Sequence, residues 1–213
     1  MVTFETYLRD LPLLHTWDGG KTWNTGGFQP QQLQNVHDLI RARFDQPSII
    51  ETGAGNSTIT FLQVEPERLV SIAPADGLRQ RILAYCREHE VDTDRLDFRV
   101  ARSEVDLPAL ALANPTPHFD VALIDGGHGW PTVFVDFCYL NMMLGAGGVL
   151  LLDDTQLHSI AELARLLEMQ PGFSLLAQWG KLQAWQKDTA ELFLPEHSRE
   201  PYIAKMSRAR ERV

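Results

Sequence analysis

Four carboxylates stand at the ends of three short apolar runs in this sequence. Glu51 ends the first run, Asp125 ends the second, and Asp153 and Asp154 end the third. In an open parallel sheet, the carboxyl ends of the strands share one edge, and ligands bind in the crevice beyond it. We therefore predict that these side chains converge at one site. Their mutual repulsion favours a bound cation there.

The segment 51–58, Glu-Thr-Gly-Ala-Gly-Asn-Ser-Thr, predicts a strand that ends in a glycine turn and opens a helix. Gly53 and Gly55 permit unusual dihedral angles and a close backbone approach, and a helix N-terminus offers free N–H groups to a ligand carboxylate. A dinucleotide fingerprint would place a third glycine at Thr58, and a P-loop would need a Gly-Lys-Ser/Thr sequence that does not follow the turn. A tight turn without a ligand is the remaining alternative.

The elements that must position these groups alternate between apolar runs and amphipathic stretches, as in βαβ units. The predicted strands are residues 48–51, 69–73, 96–100, 121–125 and 149–153, with a closing pair at 174–177 and 181–186. Apolar residues at helical spacing between the runs place helices over the sheet. The predicted fold class is α/β, a Rossmann-like doubly wound, mostly parallel seven-stranded sheet with helices on both faces.

A length of 213 residues fits one domain with its own core. We divide this single domain, residues 1–213, into an N-terminal helical or lid segment (1–45), a Rossmann-like core (46–187) and a C-terminal tail (188–213).

Aromatic side chains and glycines are concentrated in the loop formed by residues 17–28. Trp17, Trp23 and Phe28 lie in this loop, and Trp130 follows the Asp125 segment. Packing within the core or the lid accounts for each aromatic taken alone. Together they predict an apolar cover over a ligand that excludes water.

Composition excludes several function classes. The net charge of −9 argues against general binding of nucleic acid, and the basic residues Lys205, Arg208, Arg210 and Arg212 are predicted to form a solvated tail. Cys86 and Cys138 both fall on stretches predicted to be buried helix faces, so neither a disulfide nor zinc is expected. No apolar stretch is long enough to span a bilayer and no signal peptide is recognised, which predicts a cytoplasmic protein.

Two further motifs give the sequence a family resemblance. Residues 119–128 read Phe-Asp-Val-Ala-Leu-Ile-Asp-Gly-Gly-His, and residues 144–155 read Leu-Gly-Ala-Gly-Gly-Val-Leu-Leu-Leu-Asp-Asp-Thr. With the glycine turn, they resemble the class I methyltransferases that use S-adenosylmethionine, and in particular small O-methyltransferases with an IDG-x-H, L-x-x-GG and DD pattern. The resemblance covers roughly residues 48–155, and the joint match is more specific than either motif alone.

This resemblance implies catalytic and metal-binding roles. His128 occupies the position of the general base that deprotonates the acceptor hydroxyl, a role that suits an imidazole near neutral pH. Asp125, Asp153 and Asp154 match magnesium ligands where a metal is used, and carboxylate oxygens suit Mg²⁺. The alternatives are a metal-free site, an Asp125 that orients the methionine ammonium or the substrate, aspartates that cap the next segment, and a His128 that bonds a neighbouring loop.

The resemblance also implies a cofactor site. The implied contacts are Glu51, Gly53, Ala54, Gly55, Asn56, Ser57, Thr58, Asp76, Ser103, Glu104 and Asp125. Glu51 is expected to face the cationic amino-acid end of the cofactor, directly or through water, and Ser103 and Glu104 to line the adenine pocket. The sequence departs from the family at Ala73, where an acid usually holds the ribose hydroxyls, and Asp76 is the nearest replacement.

The resulting hypothesis is in-line transfer of the sulfonium methyl group to an acceptor oxygen, with His128 as base and Mg²⁺ lowering the pKa of the hydroxyl. The expected partner is a small-molecule acceptor such as a sugar, a phenol or a natural product, without nucleic acid or membrane, and a homo-oligomer is compatible with the family. The alternatives are a methyltransferase-like binding module without chemistry, suggested by Ala73, and a nicotinamide-dependent oxidoreductase, disfavoured by Thr58.

Overall fold

The computed structural model describes residues 2–16, 18–114, 116, 118–191 and 200–210, with side chains as far as residue 207. Its strands are β1 (Ser48–Thr52), β2 (Arg68–Ile72), β3 (Leu96–Arg99), β4 (Phe119–Ile124), β5 (Leu144–Leu152), β6 (Phe173–Trp179) and β7 (Leu182–Lys187). Its helices are α1 (Phe4–Arg9), α2 (Pro30–Arg43), α3 (Asn56–Gln63), α4 (Asp76–Glu88), α5 (Ser103–Ala113), α6 (Trp130–Met143), α7 (His158–Met169) and α8 (Pro201–Arg210).

The strands form one sheet in the order β3-β2-β1-β4-β5-β7-β6. The first five strands pair in parallel, whereas β7 pairs antiparallel with both β5 and β6. The direction of the chain across the sheet reverses between β1 and β4, and this reversal opens a ligand crevice in doubly wound folds. The predicted fold class and the predicted closing strand pair are confirmed.

Two apolar layers cover the sheet. Successive residues of a strand point to opposite faces. Ile49 and Leu69 accordingly pack with α1 to α4, whereas their neighbours Ile50 and Val70 pack with α5 to α7. Helices therefore lie on both faces, as predicted, and the rigid sheet between them positions the loops at its carboxyl edge.

Three helices escaped the sequence analysis. The segment that forms α5 contains Pro108 and is apolar over most of its length, so it lacks the one-sided pattern of an amphipathic helix. The short α1 is too brief to show a clear period. The predicted C-terminal tail contains α8, which packs on α7 through a hydrogen bond of 2.8 Å from the Tyr202 hydroxyl to Glu162. Lys205 is exposed as expected, and the side chains of the other three basic residues lie outside the described part.

The prediction that both cysteines are buried is wrong for one of them. Cys86 is buried on α4, but Cys138 is exposed on α6, and both are free thiols. Helix α6 carries apolar residues around much of its circumference, so helical spacing alone does not reveal its buried side. Among the described residues, no helix is both long enough and apolar enough to span a membrane.

Candidate active site

The candidate site lies at the carboxyl ends of β1, β4 and β5. Backbone hydrogen bonds continue the sheet ladder past these ends, from the Asp125 amide to the Thr52 oxygen at 3.0 Å and from the Asp153 amide to the Ile124 oxygen at 3.1 Å. These bonds fix Asp125 beside the end of β1 and Asp153 beside the end of β4. The structure thus brings together the carboxylates that follow β4 and β5.

The glycine turn after β1 is packed tightly against the end of β4. Gly53 has a φ of +86°, and a Cβ atom there would lie inside van der Waals contact with the Asp125 backbone oxygen. A Cβ on Gly55 would lie 2.8 Å from Nε2 of His15, whose ring also bonds the Ala54 oxygen. The glycines therefore allow the turn to approach β4 and the N-terminal segment. Sequence reasoning missed His15, whose position depends on a loop that carries no motif.

Glu51 lies completely buried beneath this turn. Its carboxylate accepts hydrogen bonds from the hydroxyls of Ser57 at 2.7 Å, Ser71 at 2.6 Å and Thr58. Burial raises the pKa of Glu51 to about 7, although the three hydroxyl donors oppose that shift. The carboxylate thus joins β1, β2 and α3 and bonds the side chains of Ser57 and Thr58, which were predicted to contact the cofactor.

A lysine that the sequence analysis did not single out lies among the aspartates. Lys181 lies in the turn between β6 and β7, directly before β7. Its ammonium donates to Asp153 Oδ2 and Asp154 Oδ1, each at 2.7 Å. Burial, followed by the charge of Asp153, raises the pKa of Asp125, and burial raises that of Asp153. Hydrogen bonds from Lys181 and Gln156 hold the pKa of Asp154 below its ordinary value despite its partial burial. The sequence analysis predicted a bound cation among these carboxylates, and the Lys181 ammonium supplies a positive charge there.

His128 lies between two of the carboxylates. Its Nε2 atom is 3.4 Å from Asp154 Oδ2 and 3.8 Å from Asp125 Oδ1, and it forms no well-directed hydrogen bond within the described part of the chain. The Ser159 hydroxyl donates to the His128 backbone oxygen at 2.6 Å, which ties this loop to α7. The imidazole is thus held at the sheet edge between two carboxylates, and its Nε2 atom is buried.

The ligand set predicted for Mg²⁺ does not fit this geometry. The groups that converge are Asp125, His128 and Asp154, whose ligand atoms lie within 4.8 Å of one another, and Asp153 is outside that set. One oxygen of Asp153 and one of Asp154 bond the Lys181 ammonium. Mg²⁺ prefers an all-oxygen octahedron, whereas the convergent set includes an imidazole nitrogen.

The proposed ribose contact lies on the first residue of α4. Asp76 bonds the Arg79 guanidinium at 2.8 Å and the Gln80 side chain, and these bonds lower its pKa. Ala73, at the position where the family carries an acid, is 2% exposed. Since the Asp76 carboxylate has partners on its own helix, its role toward a cofactor stays a prediction.

The predicted adenine contacts differ in their surroundings. Ser103 begins α5 and is buried, whereas Glu104 pairs with Arg102 at the surface. Asp136 of α6 is fully buried nearby, and burial raises its pKa to about 6. Sequence reasoning missed Asp136, because a lone aspartate on an apolar helix carries no motif.

The N-terminal segment contacts both halves of the site. Tyr7 is buried and its hydroxyl donates to the Asn56 oxygen at 2.8 Å at the start of α3, and the Arg81 guanidinium lies 5.7 Å from the Trp23 ring. On the other side, Lys181 donates to the Gly26 oxygen and lies 5.7 Å from the Phe28 ring. Trp17, the remaining aromatic of the predicted cover, lies outside the described residues.

Trp130, which the sequence analysis included in the predicted apolar cover, is largely open to solvent. Trp130 is 53% exposed at the start of α6. Its ring lies against Phe134 and stacks on His158, with centroids 5.3 and 5.9 Å apart.

A groove of about 660 Å³ opens beside Asp154 and Lys181. Its lining residues are Gly26, Gly27, Gln29, Gln31, Gln32, Asn35, Asp154, Gln156, Trp179, Gly180 and Lys181. The walls thus come from the loop that carries Gly26 and Gly27, here called the lid loop, from the first turns of α2 and from the β6 to β7 turn. The volume is in the range of small-molecule pockets, and amide side chains dominate its polar lining.

A doubly wound sheet with a glycine turn after β1 is the framework on which α/β proteins bind nucleotide-type cofactors at the switch point. Residues 50–155, about half of the chain, match the family model of a methyltransferase domain. The chain belongs to the class I S-adenosylmethionine-dependent methyltransferases. A sequence comparison with curated proteins gives no match.

Solved structures with the same fold include several methyltransferases. The O-methyltransferase TomG of Streptomyces achromogenes, solved with S-adenosylmethionine, aligns with a TM-score of 0.65 at 18% identity over 77% of this chain and 82% of its own. The Bacillus cereus O-methyltransferase, in complex with S-adenosylhomocysteine, aligns at 0.60 and 18% over 76% and 83%. An rRNA methylase of Streptococcus thermophilus aligns at 0.56 and 15% over 73% and 95%. At these identities, the alignments show a shared fold.

Proposed function

We propose that this methyltransferase transfers the methyl group of S-adenosylmethionine to a hydroxyl oxygen of a small acceptor. The observation that carries the proposal is the His128 imidazole, which is held at the end of β4 within 3.4 Å of Asp154. Asp154 also lines the open groove, and its 3.4 Å approach to Nε2 of His128 connects the imidazole with the space in which we expect an acceptor to bind. Fold neighbours described as O-methyltransferases support an oxygen acceptor.

The cofactor site of this proposal follows the turn between β1 and α3. The first N–H groups of α3 bind the carboxylate of the cofactor, and Asp125 faces its ammonium. Glu51 holds the turn in place through the buried hydroxyls of Ser57 and Thr58. The backbone of Gly53, Ala54, Gly55 and Asn56 lies against the cofactor, with Asp76 near the ribose and Ser103 and Glu104 near the adenine.

In the proposed reaction, the bound cofactor supplies a methyl group already activated by its sulfonium. His128 accepts the proton of the acceptor hydroxyl while the oxygen electron pair forms the bond to the methyl carbon and the carbon–sulfur bond breaks. Asp125 and Asp154 face the positive charge that the imidazole then carries. The remaining task of the chain is to align the reactants and to exclude water, and we expect the N-terminal lid segment to exclude the water. No step passes through Mg²⁺.

The groove favours a neutral acceptor that bears hydroxyl groups. Gln31, Asn35 and Gln156 offer both donors and acceptors of hydrogen bonds, and Trp179 provides an apolar edge. The charged side chains of the groove, Asp154 and Lys181, already pair with each other. The net charge of −9 weighs against a nucleic acid acceptor.

Calorimetric titration of S-adenosylmethionine, S-adenosylhomocysteine and NAD tests the cofactor part. We expect saturable binding of the first two and none of NAD. Binding of NAD alone would move the protein to the oxidoreductases. Binding without transfer to any acceptor of a broad hydroxylated set would favour a binding module that has lost chemistry, for which the buried Ala73 is the specific observation.

Substitution of His128 tests the base. In His128→Ala, we expect turnover at saturating substrates to fall about 100-fold or more, because general base catalysis contributes factors of this size. The affinity for S-adenosylhomocysteine should stay unchanged. His37→Ala, on α2 away from the site, is the matched control. Full turnover by His128→Ala would refute the assignment.

The single-domain division, the cytoplasmic location and the homo-oligomer stay predictions. Gel filtration of the purified chain measures the last of these.

A further inference from the structure

The Lys181 ammonium lies where a metal ion bound to Asp153 and Asp154 would lie. The ammonium approaches Asp153 Oδ2 and Asp154 Oδ1 to 2.7 Å each, and its side chain is 19% exposed. Asp153 is 1% exposed. A Mg²⁺ ion bound to these same two oxygens would lie about 2.0 to 2.1 Å from each of them. The ammonium already occupies that position, so a metal and Lys181 would compete for it.

The ammonium also connects three parts of the site. Through Asp154 Oδ1 it holds a carboxylate whose other oxygen faces His128. Through the Gly26 oxygen it holds the lid loop, and the Phe28 ring lies 5.7 Å from Nζ. One cation on the β6 to β7 turn therefore contacts both the carboxylates after β5 and the loop that carries Gly26 and Phe28.

The carboxylates of the site need a positive charge, which Lys181 provides. Three carboxylates, those of Asp125, Asp153 and Asp154, meet at this edge and would repel one another without a cation. The Lys181 ammonium bonds one oxygen of Asp153 and one of Asp154 at 2.7 Å each, so the chain itself supplies a positive charge to two of the three carboxylates.

We propose that Lys181 is a positioning residue that takes the place of a divalent cation, so that this methyltransferase works without added metal. The lysine holds Asp154 toward His128 and the lid over the site, and its removal opens a cation site between the aspartates. The kinetic part of this inference rests on the proposed function. The metal-binding part does not, because it concerns the protein without cofactor or acceptor.

Calorimetric titration of Mn²⁺ into the 213-residue chain, with a thermal unfolding scan, is the first experiment. Wild type should show no saturable Mn²⁺ binding and no rise of Tm with millimolar Mn²⁺. Lys181→Met keeps the apolar stem without the charge, and it should gain saturable Mn²⁺ binding and a Tm that rises with Mn²⁺. Lys181→Arg should resemble wild type. Lys205→Ala, which removes an exposed lysine of α8, is the matched control and should also resemble wild type.

Turnover then separates this inference from the proposed function. Wild-type transfer should be insensitive to a chelator, and Lys181→Met should lose about 100-fold and recover part of it with Mn²⁺. Saturable Mn²⁺ binding by wild type, or chelator-sensitive turnover, would overturn the inference even if Lys181→Met failed to fold. A folded Lys181→Met that binds no Mn²⁺ would overturn it as well. Failure of S-adenosylmethionine to bind would instead sink the proposed function and leave the Mn²⁺ result standing.

Discussion

The buried Glu51 makes the stability of this protein depend on pH in a predictable direction. Burial raises its pKa from 4.5 to about 7. Between these values, the folded protein holds a proton that the unfolded chain has released, so the free energy of unfolding falls as pH rises through this window. The contribution is fully present below about pH 4.5 and lost above about pH 7. A raised pKa of this size corresponds to about 3 kcal/mol.

Glu51→Gln tests this linkage, because an amide of the same shape cannot ionise. Urea unfolding of both proteins from pH 4.5 to pH 8, without ligand, gives the difference in free energy of unfolding. We expect wild type to lose about 3 kcal/mol relative to Glu51→Gln across this range. The difference between the two proteins cancels the contributions of other groups that titrate in this range, such as Asp136.

The control is Glu65→Gln, which alters an 81% exposed side chain and should give a difference that stays constant with pH. A constant difference for Glu51→Gln would refute the argument, since it would mean that the three hydroxyl donors fully offset the cost of burial. If wild type instead gained stability relative to Glu51→Gln as pH rises, the three hydroxyl donors would stabilise the ionised carboxylate.

Four further substitutions test backbone strain and buried contacts of the fold, each by urea unfolding. Gly53→Ala should cost about 3 kcal/mol or more, because it adds overpacking against the Asp125 backbone to the strain of a positive φ. Gly147→Ala, with a φ of +81° and open space at the Cβ position, should cost only the strain of about 1 to 2 kcal/mol, and equal losses would contradict the clash. Tyr7→Phe should cost about 1 kcal/mol through the lost bond to the start of α3, and a neutral effect would show that this bond adds nothing. Lys187→Met should cost about 1 to 3 kcal/mol, because it leaves two buried carbonyl oxygens at the end of α6 without their donor, whereas a stabilised variant would show that the cost of burying the amine dominates.

The position of Gly53 shows how a correct prediction can rest on a partial reason. The sequence places a glycine turn after β1, and the structure has it there. The ligand was the expected cause of the glycines. In the fold, Gly53 is also required by the Asp125 backbone, which approaches from β4. A contact between segments more than seventy residues apart has no local signature.

The amino-acid sequence alone determined the architecture of this protein and the sheet edge that carries its candidate site. Apolar runs alternate with amphipathic stretches, and this period sets the strands, the helices and hence the edge where Asp125, Asp153 and Asp154 end their strands. Such patterns are local, because burial on one face imposes a spacing on consecutive residues.

Only the tertiary structure decided what surrounds those carboxylates. Lys181 reaches Asp153 and Asp154 from the antiparallel hairpin, and His15 reaches the glycine turn from the N-terminal loop. The three hydroxyls that bond Glu51 come from two different elements. Charge pairing and desolvation act between whichever groups the chain brings together, so the sequence lists the charges while the fold decides which of them meet.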